Sequence, residues 1–85
     1  MFKGKTKSGF EFEIDERIKD DYRFFETLYQ VEENPILAPK LINMLLGEEE
    51  KERLLKHVEK DGFVSQADVI KEVSEIIRSA GDIKN

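Results

Sequence analysis

Polar and apolar residues alternate through the first fourteen positions of the chain, which is the periodicity of a β-strand. A three-residue loop at positions 7–9 brings the apolar side chains of both halves onto one face. It pairs Thr6 with Phe10, Gly4 with Phe12 and Phe2 with Ile14, and it sets Lys5 opposite Glu11 and Lys3 opposite Glu13 on the solvent face. We therefore predict a β-hairpin over residues 1–15, with Gly9 at the loop position that favours positive φ.

The pattern changes to a helical period from about Glu16 to Glu33. One predicted face carries Ile18, Tyr22, Phe25 and Tyr29, and another carries Phe24, Leu28 and Val31. Asp15 or Asp20 is the expected N-cap, and Asn34-Pro35 ends the segment. This predicted helix is therefore apolar on two sides.

A second helical segment, residues 35–46, is apolar around most of its circumference, and Lys40 is its one charged residue. Its apolar residues are Ile36, Leu37, Leu41, Ile42, Met44, Leu45 and Leu46. A helix of this kind is buried on most sides or shared with a partner. We expect Gly47 to end it with positive φ, and the three glutamates that follow to begin a third helix.

Two more helical segments complete the prediction. The third has a narrow apolar stripe at Leu54, Leu55 and Val58 and ends near Lys60, before a turn at Gly62. The fourth begins at the capping sequence of residues 65–68 and keeps one apolar face as far as residue 81. The predicted class is α+β, mainly α: an N-terminal β-hairpin followed by about four short helices. We expect a single domain over 1–85, with the hairpin at 1–15, the helical part at 16–81 and a tail at 82–85.

Composition narrows the possible functions. A chain of 85 residues forms a small core and buries roughly 60–65% of the surface it would expose unfolded. It has no cysteine and a single histidine, His57, which argues against disulfides and against thiolate or multi-histidine metal centres. With 14 Lys and Arg against 19 Asp and Glu, its average surface repels nucleic-acid phosphates. No segment has the apolar length of a signal sequence or a membrane span, so we expect a cytoplasmic protein.

Two candidate sites for chemistry have simpler explanations. The stretch from Asp61 to Ser65 resembles the middle of a calcium-binding EF-hand loop. That alignment places His57 and Asp68 at the first and twelfth positions, where Asp and Glu are needed, and a glycine turn followed by a serine cap accounts for the same residues. His57 has no nucleophile placed near it by the sequence, and no carboxylate pair lies in an apolar setting. We expect no catalytic residue, no metal, no cofactor and no enzyme activity.

Residues 51–80 also fit a helix-turn-helix, the common DNA-binding motif. The second helix would present Gln66, Asp68, Lys71, Glu72 and Glu75, a mainly acidic set that repels the DNA backbone. Simple helix packing is therefore the favoured explanation of this segment. A small prophage-encoded DNA-binding regulator therefore stands as the alternative function.

Residues 18–46 hold more large apolar side chains than a core of this size is expected to enclose. The surplus either makes a protein contact, by self-association or by binding an apolar client segment, or lies within a tightly packed bundle around the second helix.

Several stretches resemble one family over nearly the whole chain: T-K-S-G-F-E-F-E-I-D, D-D-Y-R-F-F-E-T-L, P-K-L-I-N-M-L-L-G-E-E-E, L-L-K-H-V and V-I-K-E-V-S-E-I-I-R-S-A-G-D-I-K-N. In this order they are similar to the small tail assembly chaperones of long-tailed bacteriophages and of prophages in Gram-positive bacteria. The most specific parts are L-L-G-E-E at residues 45–49 and the C-terminal S-A-G-D-I-K-N.

The resemblance implies a non-enzymatic chaperone that coats the apolar tape measure protein, recruits tail tube subunits and is not part of the finished virion. It implies the short form of such a chaperone, acting in the host bacterial cytoplasm and associating with further copies of itself. From the acidic composition and the lack of a long apolar run we expect no nucleic-acid partner and no membrane partner. The family has no short catalytic motif to carry over. From the surplus of apolar residues we expect six side chains at a protein interface: Tyr22, Phe24, Leu28, Leu37, Leu41 and Leu45.

Overall fold

The computed structural model describes residues 1–81, and the predicted tail at 82–85 lies outside the described residues. It begins with an antiparallel hairpin of β1 (Phe2–Lys5) and β2 (Glu11–Ile14). The register predicted from the sequence is confirmed, including Gly4 opposite Phe12 and Lys3 opposite Glu13. Gly9 has a φ of 96° in the loop, and its N–H donates to the Thr6 carbonyl oxygen. Lys3 and Glu13 also form an ion pair at 3.6 Å on the solvent face.

The first helical segment is divided in two. A 3₁₀ turn at Glu16–Asp20 precedes helix α1 at Tyr22–Glu33. Asp15 caps the 3₁₀ turn, and hydrogen bonds from the Arg17 side chain and backbone N–H lower the pKa of Asp15 to about 2. The N-cap of α1 is Asp21, whose carboxylate accepts from the N–H groups of Arg23 and Phe24. Asp15 is therefore confirmed as the cap at the start of this segment. The expectation of one continuous helix is wrong, because α1 begins separately at its own aspartate cap, Asp21.

The next element begins with a 3₁₀ turn at Pro35–Leu37 and continues as helix α2, Ala38–Val58. Gly47 lies inside α2 with a φ of 80° and a ψ of 169°, far from helical values. The second and third predicted helices are thus parts of one element that is kinked at Gly47. The predicted positive φ at Gly47 is confirmed, and helical backbone meets this residue directly on both sides. Counted as one kinked element, the two parts leave three α-helices within residues 1–81, not about four.

Helix α3, Gln66–Gly81, follows a tight turn in which Lys60 and Phe63 exchange backbone hydrogen bonds. The two central residues of this turn both have positive φ, 52° at Asp61 and 78° at Gly62. This pattern is typical of a type I′ turn, for which Asp-Gly is a preferred pair. The predicted serine cap of α3 is confirmed, since the Asp68 N–H donates to the Ser65 hydroxyl oxygen at 3.3 Å.

One hydrophobic core joins the hairpin to all three helices. Phe10, Phe12 and Ile14 of the hairpin lie against residues from both sides of the α2 kink and from α3. The α2 contributors are Leu41, Ile42, Leu45, Leu46, Leu54 and Val58. The apolar part of α2 is therefore enclosed by its own chain, as the packed-bundle explanation expected.

The backbone of Gly47 gives a first prediction. Its φ and ψ lie in a region that essentially only glycine occupies, and a Cβ there would have no heavy atom within 4 Å. Gly47→Ala should therefore destabilise the fold by about 1–3 kcal/mol through backbone strain alone. Urea unfolding followed by circular dichroism measures this loss. Gly81→Ala is the control, because Gly81 has equally open surroundings without positive φ. Equal stabilities for the two variants would contradict the assigned Gly47 conformation.

A second prediction concerns Gly4, which faces the ring of Phe12 across the hairpin. A Cβ at residue 4 would lie 2.5 Å from Phe12 Cζ, and Phe12 is buried and cannot easily move. We expect Gly4→Ala to cost about 1–3 kcal/mol by overpacking. The same substitution in a Phe12→Leu background should cost less, because leucine lacks the distal ring atoms that clash. Strictly additive costs in this double-mutant cycle would show that the ring does not set the requirement for glycine.

Candidate functional site

Helix α1 buries one of its two apolar stripes and exposes the other. Phe24 is only 6% exposed, and Leu28 and Val31 are half-buried against the core. On the other side, Tyr22, Phe25 and Tyr29 are 68%, 64% and 60% exposed. The exposed side chains are spaced by three and four residues and therefore share one helix face.

We call Tyr22, Phe25 and Tyr29 the aromatic ridge. The ring centroids of Tyr22 and Phe25 are 6.3 Å apart and tilted by 47°, a favourable arrangement for neighbouring aromatic rings. Aromatic side chains of this size offer large apolar area at low conformational cost, and the tyrosine hydroxyls tolerate water when the ridge is free. Large exposed apolar surfaces of this kind commonly mark sites of protein interaction.

Carboxylates border the aromatic ridge on both sides. In a helix of 3.6 residues per turn, Glu26 lies about 40° to one side of Tyr22. Glu33 lies about 40° to the same side of Tyr29, and Glu32 lies about 60° to the other side of Tyr29. All three glutamates are exposed. Among residues 1–81, none of the three has a described ion-pair partner. The ridge is thus an apolar strip between carboxylates that form no described ion pair within residues 1–81.

The structure separates the six residues that the sequence assigned to an interface. Tyr22 is exposed, and Leu28 and Leu37 are half-buried. Phe24, Leu41 and Leu45 are buried in the core, so their assignment to a surface is wrong. The physical reason is that α1, the hairpin and α3 all pack against α2 and enclose its apolar part, with Phe24 on the inner side of α1. The six predicted residues do not include Phe25 and Tyr29, which are exposed and which the sequence places on the same helix face as Tyr22.

A second apolar feature is a groove formed by both parts of α2, the 3₁₀ turn that precedes it and the start of α3. It has a volume of about 400 Å³ and includes Ile36, Ile42, Leu55, Val69 and Ile70 in its lining. Ile36 is 78% exposed at its edge. Lys51 is the charged residue of the lining, and it already pairs with Glu48 at 3.3 Å.

The loop of the hairpin is attached to the helices by a polar cluster. The Glu72 carboxylate, only 4% exposed, accepts hydrogen bonds from the hydroxyls of Thr6 at 2.7 Å and Ser8 at 2.9 Å. His57 Nε2 lies 2.9 Å from the same Ser8 oxygen. The Lys7 N–H donates to Glu75 at 3.1 Å. Sequence reasoning missed this cluster because its members are far apart in the chain and each is unremarkable locally.

Ser8, His57 and Glu72 are the residue types of a hydrolase triad, but they are connected in a different order. In a triad the acid orients the histidine, whereas Glu72 contacts the serine. Because the single Ser8 hydroxyl proton goes to Glu72, His57 must donate from Nε2 to complete the chain. A histidine that donates to the serine does not take its proton. The cluster fits the attachment of the hairpin better than nucleophilic catalysis.

In the folded chain, the polar residues of the helix-turn-helix candidate do not all lie on the surface. Glu72, expected on the outer polar face of α3, is buried, and Asp68 and Glu75 are half-buried. The exposed residues of α3 include Gln66, Lys71, Ser74 and Arg78. For the calcium candidate, residues 1–81 contain no group of three His, Cys, Asp or Glu side chains placed to hold a metal.

Comparisons with protein-family models, with curated proteins and with solved structures found no match to this chain. Across the described helices, none combines the length and apolarity needed to span a membrane.

The polar cluster gives a third prediction. Thr6→Val keeps the shape of the side chain but removes a donor to buried Glu72 and the acceptor of the Phe10 N–H. We expect a loss of about 1–3 kcal/mol in urea unfolding, because buried polar groups are left without partners. Thr27→Val is the matched control. Thr27 is equally buried, but its hydroxyl donates to the Arg23 carbonyl within α1, a bond that adds little to helix stability. Similar losses in both variants would argue against a special role of the Glu72 contacts.

Proposed function

We propose that this chain is a non-enzymatic tail assembly chaperone of a long-tailed phage or prophage, and that its aromatic ridge binds apolar helical segments of the tape measure protein. The observation that carries the proposal is that three large aromatic side chains stand together on an exposed helix face while a full core is packed beneath them. The resemblance of the sequence to tail assembly chaperones supplies the identity of the client.

The size of the aromatic ridge suits transient binding. Three aromatic side chains exposed by about two thirds offer on the order of 400 Å². A stable interface buries about 800 Å² on each partner, so the ridge alone gives roughly half of that area. Weak individual contacts suit a chaperone that must later be displaced by tail tube subunits. Several copies along one long client would hold it firmly through multivalency.

The remaining parts of the proposal follow from the same resemblance. The chaperone acts in the host bacterial cytoplasm, recruits tail tube subunits, associates with further copies of itself and leaves before the virion is complete. The formal net charge of −5 keeps copies soluble while their ridges are exposed.

Co-expression with the tape measure protein tests the proposal. Phe25→Ser should reduce co-purification of the tape measure at least about tenfold while leaving the melting temperature nearly unchanged, since Phe25 is 64% exposed. Phe63→Ser is a matched control, because Phe63 is 68% exposed on the turn before α3. It should co-purify as the unsubstituted protein does.

Failure of the unsubstituted chain to bind or solubilise the tape measure would overturn the proposed function. Binding that survives Phe25→Ser would instead exclude the aromatic ridge as the client surface. If Phe25→Ser lowers the melting temperature together with binding, Phe25 stabilises the fold and the loss of binding does not identify it as a client contact.

A further inference from the structure

We propose that the aromatic ridge selects a particular class of partner: an amphipathic helix whose apolar stripe is bordered by lysine or arginine. This inference rests on the proposed function for the site itself and specifies the chemistry of the client that the site accepts. It starts from the border of the ridge, where Glu26 and Glu33 lie on one side and Glu32 on the other.

The border glutamates act on whatever covers the ridge. A helix seated on Tyr22, Phe25 and Tyr29 brings the residues beside its own apolar stripe near these carboxylates. Cations at those positions form charge-assisted contacts around a desolvated apolar centre, whereas carboxylates there repel. Since the three glutamates have no described ion-pair partner within residues 1–81, a basic client does not have to break an existing bond.

The same charges disfavour other occupants. Two copies of the chain meeting ridge to ridge would bring the carboxylate borders together, which costs free energy through like-charge repulsion. An anionic membrane surface is repelled in the same way. The α1 helix carries only one cation, Arg23, and it lies about 100° from Tyr22, away from the ridge. The border carboxylates therefore favour binding of a basic helix over binding of a second copy of the chain or of an anionic lipid surface.

Model peptides provide the test. A peptide of about 18 residues, five helical turns, carries leucine at spacings of three and four, with lysine at the other positions. A second peptide replaces every lysine with glutamate. We expect the lysine peptide to bind with a dissociation constant at least about tenfold lower, and to shift the amide resonances of α1 in NMR spectra. Raising the salt from about 0.1 M to about 1 M shortens the Debye length from about 10 to about 3 Å and should remove most of the preference.

Two double variants separate local charge from net charge. Glu26→Gln/Glu33→Gln should reduce the preference for the lysine peptide at least about threefold, while the stability of the fold is unchanged because both residues are exposed. Glu49→Gln/Glu59→Gln removes two exposed charges elsewhere and should keep the preference. Equal effects of the two double variants would overturn the local role of the border.

The outcomes also separate this inference from the proposed function. If the chain captures the tape measure through Phe25 but binds lysine and glutamate peptides equally, the client class is wrong and the chaperone proposal stands. If the lysine peptide binds at the ridge but the tape measure does not co-purify, the client class stands and the chaperone proposal fails. Binding of vesicles containing phosphatidylglycerol through the ridge would overturn the assignment to a protein helix.

Discussion

The backbone at Gly47 is the constraint on which the fold depends. It takes the chain through φ and ψ values that side chains with a Cβ avoid, in the middle of what would otherwise be a straight helix. On one side of it, Leu41 and Leu45 enter the core, and on the other side Leu54 and Val58 enter the same core. A straight α2 would spread Leu41 to Val58 over about 26 Å along one axis, whereas the kink lets both parts contribute to one core. The kink lets one element supply both the centre of the core and the acidic outer surface.

The core is filled by residues of the hairpin, α2, α3 and one side of α1, so the other apolar side of α1 is exposed. Phe24 and Phe25 are adjacent and chemically identical, yet the first is buried and the second is exposed. A helix places neighbouring residues about 100° apart, so one of the two must face outward once the other packs inward. What distinguishes this face from chance exposure is that Tyr22 and Tyr29 join Phe25 on it, with carboxylates on both borders. An apolar centre within a charged rim is the usual anatomy of a protein-binding surface.

The hairpin depends on a different kind of contact. Its apolar face packs on the helices, but its loop is held by the buried Glu72, which needs donors because an unpaired buried carboxylate is costly. Thr6 and Ser8 supply these donors from 66 and 64 positions earlier in the chain. A two-stranded hairpin is marginal alone, and this attachment gives it a fixed place on α3.

The sequence by itself determined the hairpin and its register, because alternation with period two and opposite charges at Lys3 and Glu13 leave one pairing that separates apolar from polar faces. It also determined that α1 has two apolar stripes and that α3 begins at a serine cap. Only the tertiary structure decided which stripe of α1 is buried, because both are rich in aromatic or aliphatic residues and the choice depends on what α2 covers. The same holds for Leu41 and Leu45, which the sequence left open between core and partner, and for Glu72, whose burial requires hydroxyls from residues more than sixty positions away. Local periodicity specifies the faces of an element, whereas contacts between distant segments decide which face meets water.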